Sequence, residues 1–330
     1  LRRRVESGGA LSCGGVTESA QAFLAAWLRR EFPDSGPARK AEFQLTRLQS
    51  GNRSVDDRVR KWQAITADNP DYLASRYELC AARLTQWREA ANGSQAAEFG
   101  AEVLKAARQY WEAATAKERR VTSDVRVALS ALEVLASKPG MDEQEIAYFE
   151  SRASSLASKL PMDASELVEL HYRQFQLARY RSDAVAASRE ATWLSEHGRG
   201  SSFELPALVV VAQDADEAYR KAAPNERREY ARKAADAYRR LVDLSGDTPE
   251  TIRSKTNARV AVSRLAQLRQ EVGDYPAAIG ALETLLRAYP NDKSYLRRIA
   301  LAEFQAERWA ASLERWRRLV AGLEKGQAEW

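Results

Sequence analysis

The sequence predicts an all-α fold, a helical-repeat solenoid of about fifteen helices. Three observations carry the prediction. Strand signals are nearly absent: the one β-like run, Leu208-Val209-Val210-Val211, lies inside a helical pattern, and Ala, Leu, Glu and Arg dominate the composition. Apolar residues recur at i, i+4 and i+7, the spacing of one buried helix face. The stretch Val260 to Val320 repeats itself after 34 residues, placing Leu282 over Trp316, Leu285 over Leu319, Ala278 over Ser312 and Tyr275 over Trp309.

That stretch reads as helix, turn, helix, turn, helix, turn, helix. Ala278, Leu282 and Leu285 share one face, the small residue letting a neighbouring helix approach while the large ones fill the groove between helices. Gly273 supplies a turn without a Cβ to clash at positive φ. Pro290 ends a helix by biasing Tyr289 away from the α region. Leu265-Ala266 and Ile299-Ala300 supply large-then-small pairs. The same triple returns at Ala234, Tyr238 and Leu241, at Ala107, Trp111 and Ala114, and in part at Trp62 and Ile65, where Arg58 replaces the small residue.

On these residues the chain resembles the tetratricopeptide repeat (TPR) family, clearly over residues 259–320 and degenerately elsewhere. The resemblance implies antiparallel helix pairs stacked as a right-handed superhelix, with the first helix of each pair lining a concave groove. It further implies a protein-binding scaffold.

Length and composition agree. The chain has 330 residues, 45% hydrophobic and 29% charged, enough for a large core without disulfides or metals. Its 51 basic and 46 acidic residues leave a net charge of +5 on a mixed surface. That balance argues against nucleic acid, and the interleaved acids argue against an RNA-binding helical repeat, which would carry a continuous basic stripe. Arg2-Arg3-Arg4, and Arg297-Arg298 with Arg315-Arg317-Arg318, read as solvated or ion-paired faces. No window of 18 apolar residues exists, so no transmembrane span is expected. The two cysteines cannot form a disulfide framework: Cys80 reads as a buried small hydrophobe, and Cys13 lacks the apolar stretch that lipoprotein processing requires. Compartment is open between cytoplasm and periplasm.

In chain order, residues 1–16 read as a disordered tail, residues 17–138 as degenerate helical repeats and residues 141–330 as TPR-like repeats continuous with them. Thr17 is expected to cap a helix through Phe23, Leu24, Trp27 and Leu28, stopped by Pro33 before the loop Asp34-Ser35-Gly36-Pro37. A short helix carries Phe43, Leu45 and Leu48 and ends at Gly51-Asn52. Ser54-Val55-Asp56-Asp57 and Asp163-Ala164-Ser165-Glu166 resemble capping boxes. Ser123 is expected to cap a helix that Lys138-Pro139-Gly140 halts. Further helices cover about 203–222 and 225–244, and Thr248-Pro249 caps the helix entering the repeated stretch. The chain begins at Leu1 and ends at Trp330, just past a helix and a Gly, which reads as cuts in a longer protein.

No catalytic pattern stands out. His171 and His197 lack ligand spacing, no phosphate-binding glycine motif or nucleophile elbow is present, and the carboxylate clusters Asp142-Glu143-Glu145 and Asp214-Asp216-Glu217 read as helix surface. The expectation is a non-enzyme without cofactor or metal. By the resemblance, the groove is lined by Val260, Ser263, Arg264, Gln267 and Gln270, then by Ser294, Arg297, Arg298, Leu301 and Phe304. The partner-binding set is Arg264, Gln267, Arg297, Arg298, Leu301 and Phe304. Arg264 and Arg298 are equivalent, so two guanidinium groups could face one groove and receive carboxylates. Trp309 and Tyr275 read as packing on turns. The functional expectation is a scaffold that binds a protein or peptide and mediates assembly. The alternative is an accessory arm of a larger enzyme or of an envelope or secretion machine.

Overall fold

The structure is a computed structural model that describes residues 10–13, 16–31, 40, 42–44, 46–47, 53–70, 72–90, 93–113, 121–137 and 142–321. Expected features at 1–9, Gly14-Gly15, Pro33 to Pro37, Leu45, Leu48, Gly51-Asn52, Ala114, Lys138-Pro139-Gly140 and 327–330 lie outside them. The chain divides into two compact units, Leu1–Arg173 and Gln174–Trp330.

The first unit opens with a correction. Within the stretch expected as a tail, Ala10–Cys13 (β1) is a strand that pairs antiparallel with Val16–Ser19 (β2), with Ala10 opposite Ser19 and Cys13 opposite Val16. The residues between them are Gly14-Gly15, a two-residue hairpin signal that the Gly-rich composition concealed. Thr17 therefore sits in β2, opposite Ser12, and helix α1 (Ala20–Glu31) follows the strand directly.

The helices α2 (Val55–Asp68), α3 (Leu73–Glu89), α4 (Ala96–Ala113), α5 (Val121–Leu135) and α6 (Glu143–Ala157) pack each against the next. Ser54 begins α2 as expected: its hydroxyl accepts from Asp57 N at 3.2 Å and donates to Asp57 Oδ2 at 2.8 Å. Phe43, Val59, Trp62, Ile65, Leu79 and Ala82 form one core, with the Phe43 ring 5.3 Å from Trp62 and edge-on to Tyr72 at 5.1 Å. Arg58, at the small-residue position, has a buried Nε with no hydrogen-bond partner, which is what a long polar side chain costs where alanine would fit. Helix α5 starts two residues before the expected cap Ser123. Its Asp124 is buried and accepts from the Tyr110 hydroxyl at 2.9 Å.

Helix α7 (Ser165–Tyr180) carries the boundary between the units. It begins at Ser165, later than a cap at Asp163 requires, and the Ser165 hydroxyl donates to Glu166 at 3.1 Å.

In the second unit, α8 (Ala184–His197), α9 (Glu204–Lys221), α10 (Arg227–Ser245), α11 (Pro249–Ser254), α12 (Thr256–Glu271), α13 (Tyr275–Ala288), α14 (Lys293–Gln305) and α15 (Trp309–Ala321) continue the pattern. Leu208 and its valine neighbours are helical, inside α9. Thr248 caps α11, accepting from Thr251 N at 3.2 Å with Pro249 next. That helix lasts only six residues: Lys255 is extended (φ −116°, ψ 107°) and α12 starts afresh at Thr256. Buried Tyr238, Leu241, Ile252, Leu265, Leu268, Leu282, Leu285 and Ile299 form a continuous core through α10 to α14.

The turns show why the sequence repeats. Ser182, Gly273 and Glu307 each adopt left-handed backbone, with φ of 57°, 83° and 59°. At each, the next amide donates back across the turn: Asp183 to Ala178 O at 2.9 Å, Asp274 to Arg269 O at 2.8 Å, and Arg308 to Glu303 O at 2.8 Å. Gly273 and Glu307 are 34 positions apart, the repeat length. Asp183 and Asp274 also cap the following helix, at Ala186 N and Ala277 N.

Candidate partner-binding face

The six residues expected to contact a partner lie on α12 and α14, which are side by side: Arg298 of α14 donates to Ser263 of α12, to its hydroxyl at 3.2 Å and its carbonyl at 3.4 Å. Each helix buries one face and exposes another. On α12 the buried residues are Ala258, Ala261, Val262, Leu265, Ala266 and Leu268, leaving Val260 and Gln267 exposed. On α14 Ile299, Ala300, Ala302 and Glu303 are buried, and Arg297, Leu301 and Phe304, at i, i+4 and i+7, form the exposed stripe.

Two guanidinium groups free for one incoming carboxylate are not found. Arg264 donates through Nε to Asp216 Oδ1 of α9 at 2.9 Å, with a second bond from Nη2, and through Nη1 to Gln267 Oε1. Its guanidinium also lies 5.6 Å from the Tyr219 ring centroid. The chain has supplied the carboxylate itself. Arg298 makes the equivalent backward reach but meets Ser263, so it is a half-buried cation facing a hydroxyl and a carbonyl, and burial lowers its pKa. Arg297 is exposed, with no ion pair among the described residues.

The apolar part of the face is larger than the sequence suggested. Leu301 is 43% exposed and Phe304 55%. The Phe304 ring meets Trp309, 56% exposed, edge-on at 4.8 Å, and Leu313, 51% exposed, lies one turn further along α15. Trp309 thus does pack at a turn, but half of it remains uncovered and joins Phe304 to Leu313. The signal that could have found this is the i, i+4 spacing of Trp309 and Leu313 on the last helix. The basic residues split in two. Arg315 pairs with Glu283 at 2.7 Å and lies 3.5 Å from Glu303, and Arg318 pairs with Glu314 at 3.1 Å. Arg297, Arg308 and Arg317 are exposed without a carboxylate in reach among the described residues.

The remaining candidates for chemistry are structural. Cys80 is 1% exposed and its thiol is pushed up to about 12 by burial. His197 stacks on Trp193 at 4.7 Å with Nδ1 3.1 Å from the Trp193 carbonyl. Among the described residues no cluster of His, Cys, Asp and Glu has the arrangement of a metal site, and no helix is long and apolar enough to cross a membrane. In the first unit, alternate helices enclose an open cleft of about 300 Å³ lined by Tyr77, Arg88, Arg126, Ser130, Glu133 and Glu169. Glu133 there accepts from Arg88 at 2.8 Å and from Arg173 at 3.0 Å.

Within each unit helices pack on their neighbours, and in the second a left-handed corner recurs after 34 residues; these define a helical-repeat protein whose C-terminal hairpins are TPR-like. No family model matches the chain, and no curated protein matches it. Among solved structures it is similar to the human IFIT1 dimer with m7Gppp-AAAA, at 10% identity over 90% of this chain and 80% of that one, with a TM-score of 0.33. It is similar also to the P58(IPK) TPR domain, at 13% identity over 88% and 94% with a TM-score of 0.26. Yeast Tom70 aligns at 12% identity over 85% and 68%, with a TM-score of 0.22. Likenesses this distant add nothing to the helix packing described above.

Proposed function

We propose that the chain is a non-catalytic TPR-like scaffold that binds a protein partner and mediates assembly of a complex, with the exposed face of α14 and α15 as its docking surface. The observation that carries this reading is the contiguous row Leu301, Phe304, Trp309 and Leu313, left in solvent beside well-packed helices. Fully burying such a side chain is worth about 1.5–3 kcal/mol, so a partner that covered the exposed halves would gain several kcal/mol before the cost of association. Arg297 and Gln267 belong to the polar rim of the same face. Arg264 is assigned a supporting role, since Asp216 already occupies it.

The test is a comparison of captured partners. The intact chain and a Leu301→Ala/Phe304→Ala variant are used as bait in lysate of the source cells, with Leu244→Ala, exposed on α10, as the control. Partners that survive the control and vanish with the double variant support the reading. Identical catches from all three baits remove α14 and α15 as the docking surface.

A further inference from the structure

We infer that the segment docking on this face is acidic as well as apolar: a stretch of polypeptide in which Asp or Glu flank Leu or aromatic side chains. The inference rests on the reading just proposed and adds the chemistry of the partner.

Charge is distributed unevenly along the chain. Residues 293–321 hold seven basic residues (Lys293, Arg297, Arg298, Arg308, Arg315, Arg317 and Arg318) and three acidic ones (Glu303, Glu307 and Glu314). The excess of four positive charges compares with a net of +5 for all 330 residues. The helix pair that carries the exposed apolar row therefore has a local positive excess.

Most acids of this region are ion-paired within the chain, and buried Glu303 keeps one carboxylate oxygen without a hydrogen-bond partner. Glu283 and Glu303 face Arg315, and Glu314 faces Arg318, leaving Glu307 at the turn as the one acid of the segment without a pairing among the described residues. Arg297, Arg308 and Arg317 have no carboxylate partner among the described residues. Arg297 precedes Leu301 by one turn, Arg317 follows Leu313 by one turn, and Arg308 adjoins Trp309, so three of the four apolar residues of the row have an unneutralised guanidinium next to them in sequence. Arg298, half-buried against Ser263, adds a cation with no carboxylate partner among the described residues. An apolar strip bordered by such groups favours a partner whose carboxylates reach the rim as its side chains cover the strip. It disfavours a second copy in the same register, which would bring like charges together. Nucleic acid would use the cations and stack on Phe304 and Trp309, but would leave the aliphatic Leu301 and Leu313 uncovered.

The experiment uses the full chain and three synthetic amphipathic peptides. They share Leu and Phe at i, i+3, i+4 and i+7 and differ only in carrying Glu, Gln or Lys elsewhere. Binding is read by fluorescence anisotropy at low and high salt, with a single-stranded RNA oligonucleotide as competitor. The Glu peptide should bind roughly tenfold more tightly than the Gln peptide, with the advantage shrinking in high salt. Arg297→Gln/Arg308→Gln/Arg317→Gln should erase that advantage while the Gln peptide binds as before, and Leu301→Ala/Phe304→Ala should weaken both peptides. Equal affinity for the Glu and Gln peptides overturns the acidic partner and leaves the docking face standing. No dependence on Leu301 and Phe304 overturns the face itself. Displacement by RNA that is sensitive to the three arginines, or concentration-dependent dimerisation abolished by Phe304→Ala in sedimentation, assigns the face to nucleic acid or to a second copy and overturns the inference.

Discussion

Arg264 of α12 and Asp216 of α9 close an ion pair between two helices that are not neighbours in sequence, and both side chains are largely shielded from water. A residue that the repeat resemblance marks for an incoming carboxylate is paired here with a carboxylate of its own chain. The pair also separates the two equivalent arginines of the repeat. Arg264 found an acid, while Arg298, one repeat later, found Ser263.

The first prediction concerns that pair. Arg264→Ala and Asp216→Ala should each lower unfolding stability by about 1–3 kcal/mol, with a coupling of about 1 kcal/mol or more in the double-mutant cycle. Arg297→Ala, fully solvent-facing, should stay within about 0.5 kcal/mol of the parent. Urea unfolding followed by circular dichroism reads all four.

The left-handed corners give a second test. Glu307 holds at φ 59° the place that Gly273 holds at 83° one repeat earlier. Glu307→Gly should therefore stabilise the chain by about 1 kcal/mol, because glycine occupies that region without a Cβ clash. Gly273→Ala should cost about as much in the opposite direction. Thermal melts that move both variants the same way would contradict the assignment.

Two helix-interior glycines should respond differently to alanine. A Cβ on Gly280 meets nothing within 4 Å, so Gly280→Ala should gain about 0.5–1 kcal/mol of helix stability. On Gly100 the same Cβ would lie 3.2 Å from Val134 Cγ1 and 3.4 Å from Trp87 Nε1. There the crowding offsets the propensity gain, and Gly100→Ala should be neutral or destabilising by about 1 kcal/mol.

Cys80 should resist alkylation. In a Cys13→Ser background, iodoacetamide at pH 8 should label it only after unfolding, because burial keeps the thiol protonated and covered. The folded value is raised, so the contribution of Cys80 to stability is fully present below the unfolded value of 9.0 and is lost as pH rises from there toward about 12. Cys80→Ala should flatten the alkaline fall in stability.

Much of this architecture was legible in the residues, and what escaped had physical causes. The triples at Ala234, Tyr238 and Leu241 and at Ala278, Leu282 and Leu285 are buried as their spacing requires, since helical periodicity is a local property. The caps at Ser54 and Thr248 were readable for the same reason. The hairpin of β1 and β2 was concealed because two four-residue strands carry little periodic signal beside a glycine cluster. The ion pair of Arg264 could not be read because Asp216 lies 48 residues away, and nothing local announces which helix will present an acid to it. The exposed strip was half visible: Leu301 and Phe304 followed from the repeat register, whereas Trp309 and Leu313 carry only an i, i+4 spacing, which a buried helix face shares.

The polar ties between helices have one more implication. Arg88 reaches Glu133 across 45 residues, Arg264 reaches Asp216 across 48, and Arg269 to Asp236, Arg298 to Ser263 and Arg315 to Glu283 span 33, 35 and 32. During synthesis each of these partners leaves the ribosome within about fifty residues of the other, so these helices acquire their ties in the order in which they are made. A ribosome stalled midway through the message would therefore already display finished helix pairs.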